Sequence, residues 1–169
     1  MTQVERYIVR GENDRRGEWA FIYLDEERGV FSAVSSFGNY AHIWSHRGDQ
    51  RLKEFLRDLD FDYFMGKTRG LDYRRFDHEA TVKGIKAYIC DQRRQGAVDK
   101  KHARSAWREL EDMEHENSAD LFGQALYNSE HLYDLYGGDI GGALEHRPDG
   151  DSRGFWSAIW PEFLKQLPA

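Results

Sequence analysis

Apolar and polar positions alternate through the first quarter of the chain and then change to a helical spacing. Residues 19–24 (WAFIYL), 30–37 (VFSAVSSF) and 40–46 (YAHIWSH) are rich in aromatic and β-branched side chains, which suit a pleated surface buried on one side. Residues 5–10 (ERYIVR) alternate as a shorter first strand, and GENDRRG at 11–17 reads as a connection. DEERG at 25–29 forms a hairpin loop with Gly29 available for positive φ. Gly38-Asn39, flanked by Phe37 and Tyr40, predicts a two-residue type II′ turn. That register sets Phe31, Ala33, Ser35 and Phe37 on one face with Tyr40, His42 and Trp44, and Val34 with Ile43 on the other. Directly afterwards Leu52, Phe55, Leu56 and Leu59 recur at i, i+3, i+4, i+7, so the sheet is followed by a covering helix, with Asp49 as its expected cap.

From Asp60 onward the pattern is helical. Asp60 caps a short turn that holds Phe61, Phe64 and Met65 and stops at Gly66. Asp77 opens a helix with Val82, Ile85, Ile89 and Cys90 inward, which ends near Gly96. Asp99 opens the next, lined by Ala103, Ala106, Trp107, Leu110 and Met113. Ser118 starts a third, with Leu121, Phe122, Ala125 and Leu126 inside and Leu132, Leu135 and Tyr136 following. HRPDGDSRG at 146–154 reads as loop, and a last amphipathic segment carries Phe155 to Leu167, with Pro161 at a helix start or kink. The expected fold class is α+β: a three- to four-stranded antiparallel sheet covered by a helix, then a mostly helical C-terminal half. One domain over 1–169 is expected, with a sheet-rich part (1–66) and a helical part (67–169).

Composition bounds the function classes. No apolar run reaches the length of a membrane span, and the N-terminus lacks the apolar core of a signal peptide. Cys90, the single cysteine, cannot make an internal disulfide, so a reducing cytoplasm is the expected location. The net charge of −6 is uneven: 109–169 holds thirteen acids and three bases, whereas 1–108 holds seventeen acids and twenty-one bases. Such asymmetry points to electrostatic partners or self-association.

Enzyme signatures are missing: there is no Gly-x-Ser-x-Gly elbow and no phosphate loop ending in Lys-Ser/Thr. Asp58, Asp60 and Asp62 open like a calcium loop, but Tyr63 and Arg69 stand where Gly and Glu are needed. His42 and His46 are four apart, which on a strand separates them by roughly 13 Å, too far for one ion. Neither a catalytic residue nor a metal or cofactor is therefore expected. Two charged surfaces remain. Glu109, Glu111, Asp112, Glu114, Glu116 and Asp120 form an acidic run that could imitate phosphates in a partner's basic groove, with Tyr40 as an exposed aromatic anchor. Arg93, Arg94, Lys100, Lys101, Arg104 and Arg108 bracket a helix–helix junction and suit nucleic-acid phosphates.

The segments Phe37 to Trp44, Phe55 to Lys67, Arg93 to Arg104 and Trp160-Pro161 together resemble a family of small phage and prophage accessory proteins. That family is marked by an aromatic hairpin of the form YGxYxYxW, then FLxxLDxxYxxGK, an Arg-Gly-Lys-Ala-Arg helix junction and a terminal Trp-Pro. Phe37 stands here where Tyr is commoner. The resemblance implies a phage setting and a non-enzymatic binding protein that docks on a host protein or ribonucleoprotein complex, including inhibition of CRISPR or another antiviral defence. The alternatives are a nucleic-acid-binding phage accessory protein using residues 93–108, and a small enzyme without a recognisable motif.

Overall fold

The computed structural model describes residues 3–11 and 17–168, so most of the 11–17 connection lies outside the described residues. The fold is α+β, with an N-terminal four-stranded antiparallel sheet followed by a mostly helical C-terminal half. Its contacts group into two compact units, Met1–Arg74 with Pro148–Ala169, and Arg75–Arg147. The end of the sheet-rich part at residue 66 does not coincide with the boundary between these units. The chain's last segment belongs with the sheet.

In the first unit β1 (Val4–Arg10), β2 (Trp19–Asp25), β3 (Val30–Ser35) and β4 (Gly38–Ile43) pair in sequence order. The β3–β4 turn falls two residues earlier than Gly38-Asn39. Ser35 pairs with Gly38 and Ala33 with Tyr40, so the loop is Ser36-Phe37. Ser35 closes it: its Oγ accepts the Phe37 N–H at 3.1 Å and donates to the Gly38 carbonyl at 2.8 Å. A side chain thereby does locally what the glycine turn was expected to do. Because the register moves by an even number of residues, every side chain keeps its expected face. Phe31, Ala33 and Tyr40 are buried, and Val34 and Ile43 point to solvent.

The helix after the sheet, α1 (Leu52–Arg57), is capped from a distance. Glu26, in the β2–β3 loop, accepts the Leu52 N–H at 2.6 Å, and Glu54 accepts that of Arg51 at 3.2 Å. Asp49 has no part in this. α2 (Phe61–Arg69) is capped by Asp60 as expected, with Tyr63 N–H at 2.8 Å, but it runs through Gly66 to Gly70, whose φ of 64° ends it. Phe64 and Met65 are both fully buried, and that packing outweighs the weak helix preference of the glycine after them.

Residues 146–154 are not loop. They hold β6 (His146–Pro148), which pairs with β5 (Arg74–Phe76), and α7 (Gly150–Gly154), capped by Asp149 through Ser152 N–H at 2.6 Å. The helical path continues through a wide turn at Phe155–Ile159 into α8 (Trp160–Gln166). Pro161 has no N–H to give to the turn behind it, so the ladder widens and Trp160 N–H reaches back to Phe155. Phe155, Ile159, Trp160 and Phe163 all face the core, where Phe31 touches Phe64, Trp160 and Phe163 at ring distances of 5.5, 5.8 and 6.1 Å.

The second unit comprises α3 (His78–Arg94), α4 (Lys100–Met113), α5 (Ala119–Asn128) and α6 (Glu130–Leu135) around Ile85, Ile89, Ala106, Leu110, Phe122, Leu126 and Leu132. Asp77 and Asp99 cap as expected, accepting Ala80 N–H at 3.1 Å and His102 N–H at 2.7 Å. Two residues assigned inward are exposed. Leu121 is turned out because α5 packs through the Phe122–Leu126 row, and Cys90, one position past the buried Ile89, falls on the solvent side of α3. Among the described residues no helix is long and apolar enough to cross a membrane.

Candidate functional site

The C-terminal turns of α3 and the N-terminal turns of α4 enclose an open groove of about 380 Å³. Ile89, Cys90, Ala103 and Trp107 line it together with Arg93, Arg94, Lys100 and Arg104. The spacing explains the arrangement. Ile85, Ile89 and Arg93 form one i, i+4 row on α3, so an apolar stripe runs out into a cation as the helix leaves the core. Lys100 and Arg104 form the matching row on α4, with Ala103 and Trp107 beside it. Asp99 fixes where α4 begins, and the N–H of His102, donated to it, holds its carboxyl below the usual range.

Of the six expected basic residues, four line the groove, whereas Lys101 and Arg108 are exposed outside it. Arg94 pairs with Asp91 at 2.9 Å, both side chains being largely exposed. Among the described residues the other five make no ion pair. Trp107 is fixed at the groove's flank. Its Nε1 donates to Glu111 at 2.9 Å, and the Lys86 ammonium lies 5.3 Å from its ring centroid. The sequence pattern placed Cys90 in the core, where it is not, and Trp107 on the apolar face of α4, where it is half-buried against the second unit's core. The continuation of the Ile85–Ile89 row into Arg93 is the signal that could have marked this end of α3 as surface.

The acidic run is divided. Glu109 faces inward. Its carboxylate accepts the backbone N–H groups of His131 and Leu132, both at 3.0 Å, and pairs with His131 Nδ1 at 2.7 Å. Burial raises its pKa, but these hydrogen bonds outweigh that and leave it below the usual carboxylate range. Glu114 pairs with Lys86, and Glu116 with His115 at 3.4 Å. Glu111, Asp112 and Asp120 are exposed.

Tyr40 is not exposed. The register turns it inward opposite Ala33, its ring stacks on Phe155 at 4.0 Å, and its hydroxyl donates to the Phe37 carbonyl at 3.0 Å. Asp60 acts as a cap, Asp62 accepts from Tyr73 Oη at 2.9 Å, and Asp58 accepts from Gln50 at 2.9 Å. Among the described residues no group of three His, Cys, Asp or Glu side chains is placed to hold a metal ion.

A family model described as a phage family matches residues 1–167. The chain belongs to that phage protein family. No curated protein and no solved structure matches it.

Proposed function

We propose that this phage protein binds single-stranded nucleic acid through the α3–α4 groove, as a stoichiometric binding protein. The observation that carries this reading is the convergence of Arg93, Arg94, Lys100 and Arg104 on a groove with an apolar lining and Trp107 at its flank. A positive channel follows a phosphate backbone, while an aromatic and apolar surface accepts unstacked bases without regard to their sequence. Arg and Lys divide the work: guanidinium forks grip phosphate oxygens in pairs, and Lys100 adds a mobile point charge. The groove's volume is at the small end for ligand sites, which suits one or two nucleotides at a time.

The test is fluorescence anisotropy with labelled single-stranded and duplex oligonucleotides of mixed sequence. The reading expects the single strand to bind more tightly, and the triple change Arg93→Glu, Lys100→Glu, Arg104→Glu to abolish binding while Lys83→Glu, off the groove, does not. Equal binding by the triple variant would overturn it.

A second reading rests on the exposed acids Glu111, Asp112 and Asp120. They would dock on a basic nucleic-acid-binding surface of a host protein or ribonucleoprotein complex, and so inhibit CRISPR or another defence. Charge reversal at these three positions would then remove a host partner from affinity purifications.

A further inference from the structure

The outward face of the four-stranded sheet is apolar where an antiparallel sheet facing water is ordinarily polar. Ile8, Phe21 and Val34 lie side by side across β1, β2 and β3, and Tyr23 follows Phe21 along β2. Trp19 packs against Phe21 on the other side, at a ring distance of 5.2 Å. Val4 and Ile43 close one end of the same face. Val4, Ile8, Phe21, Tyr23, Val34 and Ile43 are each between 38% and 59% exposed. Together they leave roughly 500 Å² of apolar-residue surface in contact with water, at the upper end of what a monomer carries.

We propose that this face is the interface of a homodimer, two copies packing sheet on sheet about a two-fold axis. With the polar positions between and around those side chains, the face approaches the roughly 800 Å² per partner that a stable interface needs. Its charge pattern admits a second copy. Asp25, the acid on these rows, is buried and accepts from Arg28 at 3.0 and 3.3 Å, which leaves Arg6 and Arg10, both on edge strand β1, as the face's charges among the described residues. A two-fold axis parallel to the strands sets each β1 over the partner's β4. By the strand register Arg6 then lies over the partner's Ala41 and Arg10 over its uncharged β3–β4 loop, and not over each other. Aligned packing of two such twisted sheets is an ordinary way to bury apolar faces of this size. This inference rests on the first unit and is independent of the nucleic-acid reading.

Sedimentation velocity over a range of concentrations tests it on the full chain. The expected result is a dimer for the wild type. Phe21→Lys and Val34→Lys are expected to be monomeric with unchanged circular dichroism, and Leu71→Lys, an exposed apolar residue off this face, to remain dimeric. Val34→Thr, which keeps a β-branched side chain in the strand, is expected to weaken the dimer measurably and serves if the lysine variants fold poorly. A wild type that is monomeric at every concentration would overturn the proposal and leave the face to another occupant. A dimer that survives these substitutions would also overturn it.

Discussion

Glu109 on α4 holds His131 at the start of α6 through two bonds at once, 2.7 Å to Nδ1 and 3.0 Å to the backbone N–H. It also takes the N–H of Leu132, so a carboxylate twenty-two residues away serves as this helix's cap. Glu109→Gln keeps the shape but loses the charge, and should cost about 1–3 kcal/mol in urea unfolding. The pH dependence has a definite sign. Because the folded-state pKa is depressed, the carboxylate's contribution is fully present above its unfolded value of about 4.3 and disappears as pH falls through the lower folded value. The stability gap between wild type and Glu109→Gln should therefore be constant near neutrality and close in acid. A gap that widened on acidification would contradict the assignment.

Gly29 is needed for two reasons that can be measured apart. Its φ is 70°, and a β-carbon there would overlap the Trp44 carbonyl oxygen, whose own residue donates its N–H to Gly29 O at 2.9 Å. Gly70, at φ 64°, has open space around it. Gly70→Ala, at φ 64° and ψ −130°, should cost the backbone penalty of that glycine-favouring conformation, about 1–3 kcal/mol with no clash, and Gly29→Ala clearly more. Thermal unfolding of both variants checks this.

Cys90 lies in the groove and is exposed. It should react with a thiol reagent in the folded protein at one equivalent, and saturating single-stranded oligonucleotide should slow that reaction several-fold. Unaltered labelling in the presence of bound oligonucleotide would place the binding surface elsewhere.

How much of this was legible from the residues depends on how far each determinant reaches. Asp60, Asp77 and Asp99 cap helices that begin one residue later, each bonding the N–H three positions on, and all three were visible in the sequence. Glu26 and Glu109 do the same job for α1 and α6 across twenty or more residues, and no local pattern signals them. The strands' faces were legible because alternation survives an even register shift. The shift itself was not, since it follows from the Ser35 hydroxyl competing with a glycine turn. At the candidate site the cations were evident, but their convergence with Trp107 and Cys90 depends on how α3 and α4 cross. The division of the acidic run was hidden for the same reason: Glu109 looks like its neighbours in sequence and is set apart by its partners alone.

The most direct test of the groove reading is the slope of log affinity against log salt for a single-stranded oligonucleotide, measured for the wild type and for Arg93→Ala, Lys100→Ala and Arg104→Ala singly. Each residue that contacts a phosphate should lower the magnitude of that slope by about 0.7 when removed, with affinity falling at every salt concentration. Lys83→Ala should leave the slope alone. A wild-type affinity insensitive to salt, or a slope unchanged by all three groove substitutions, would contradict the account.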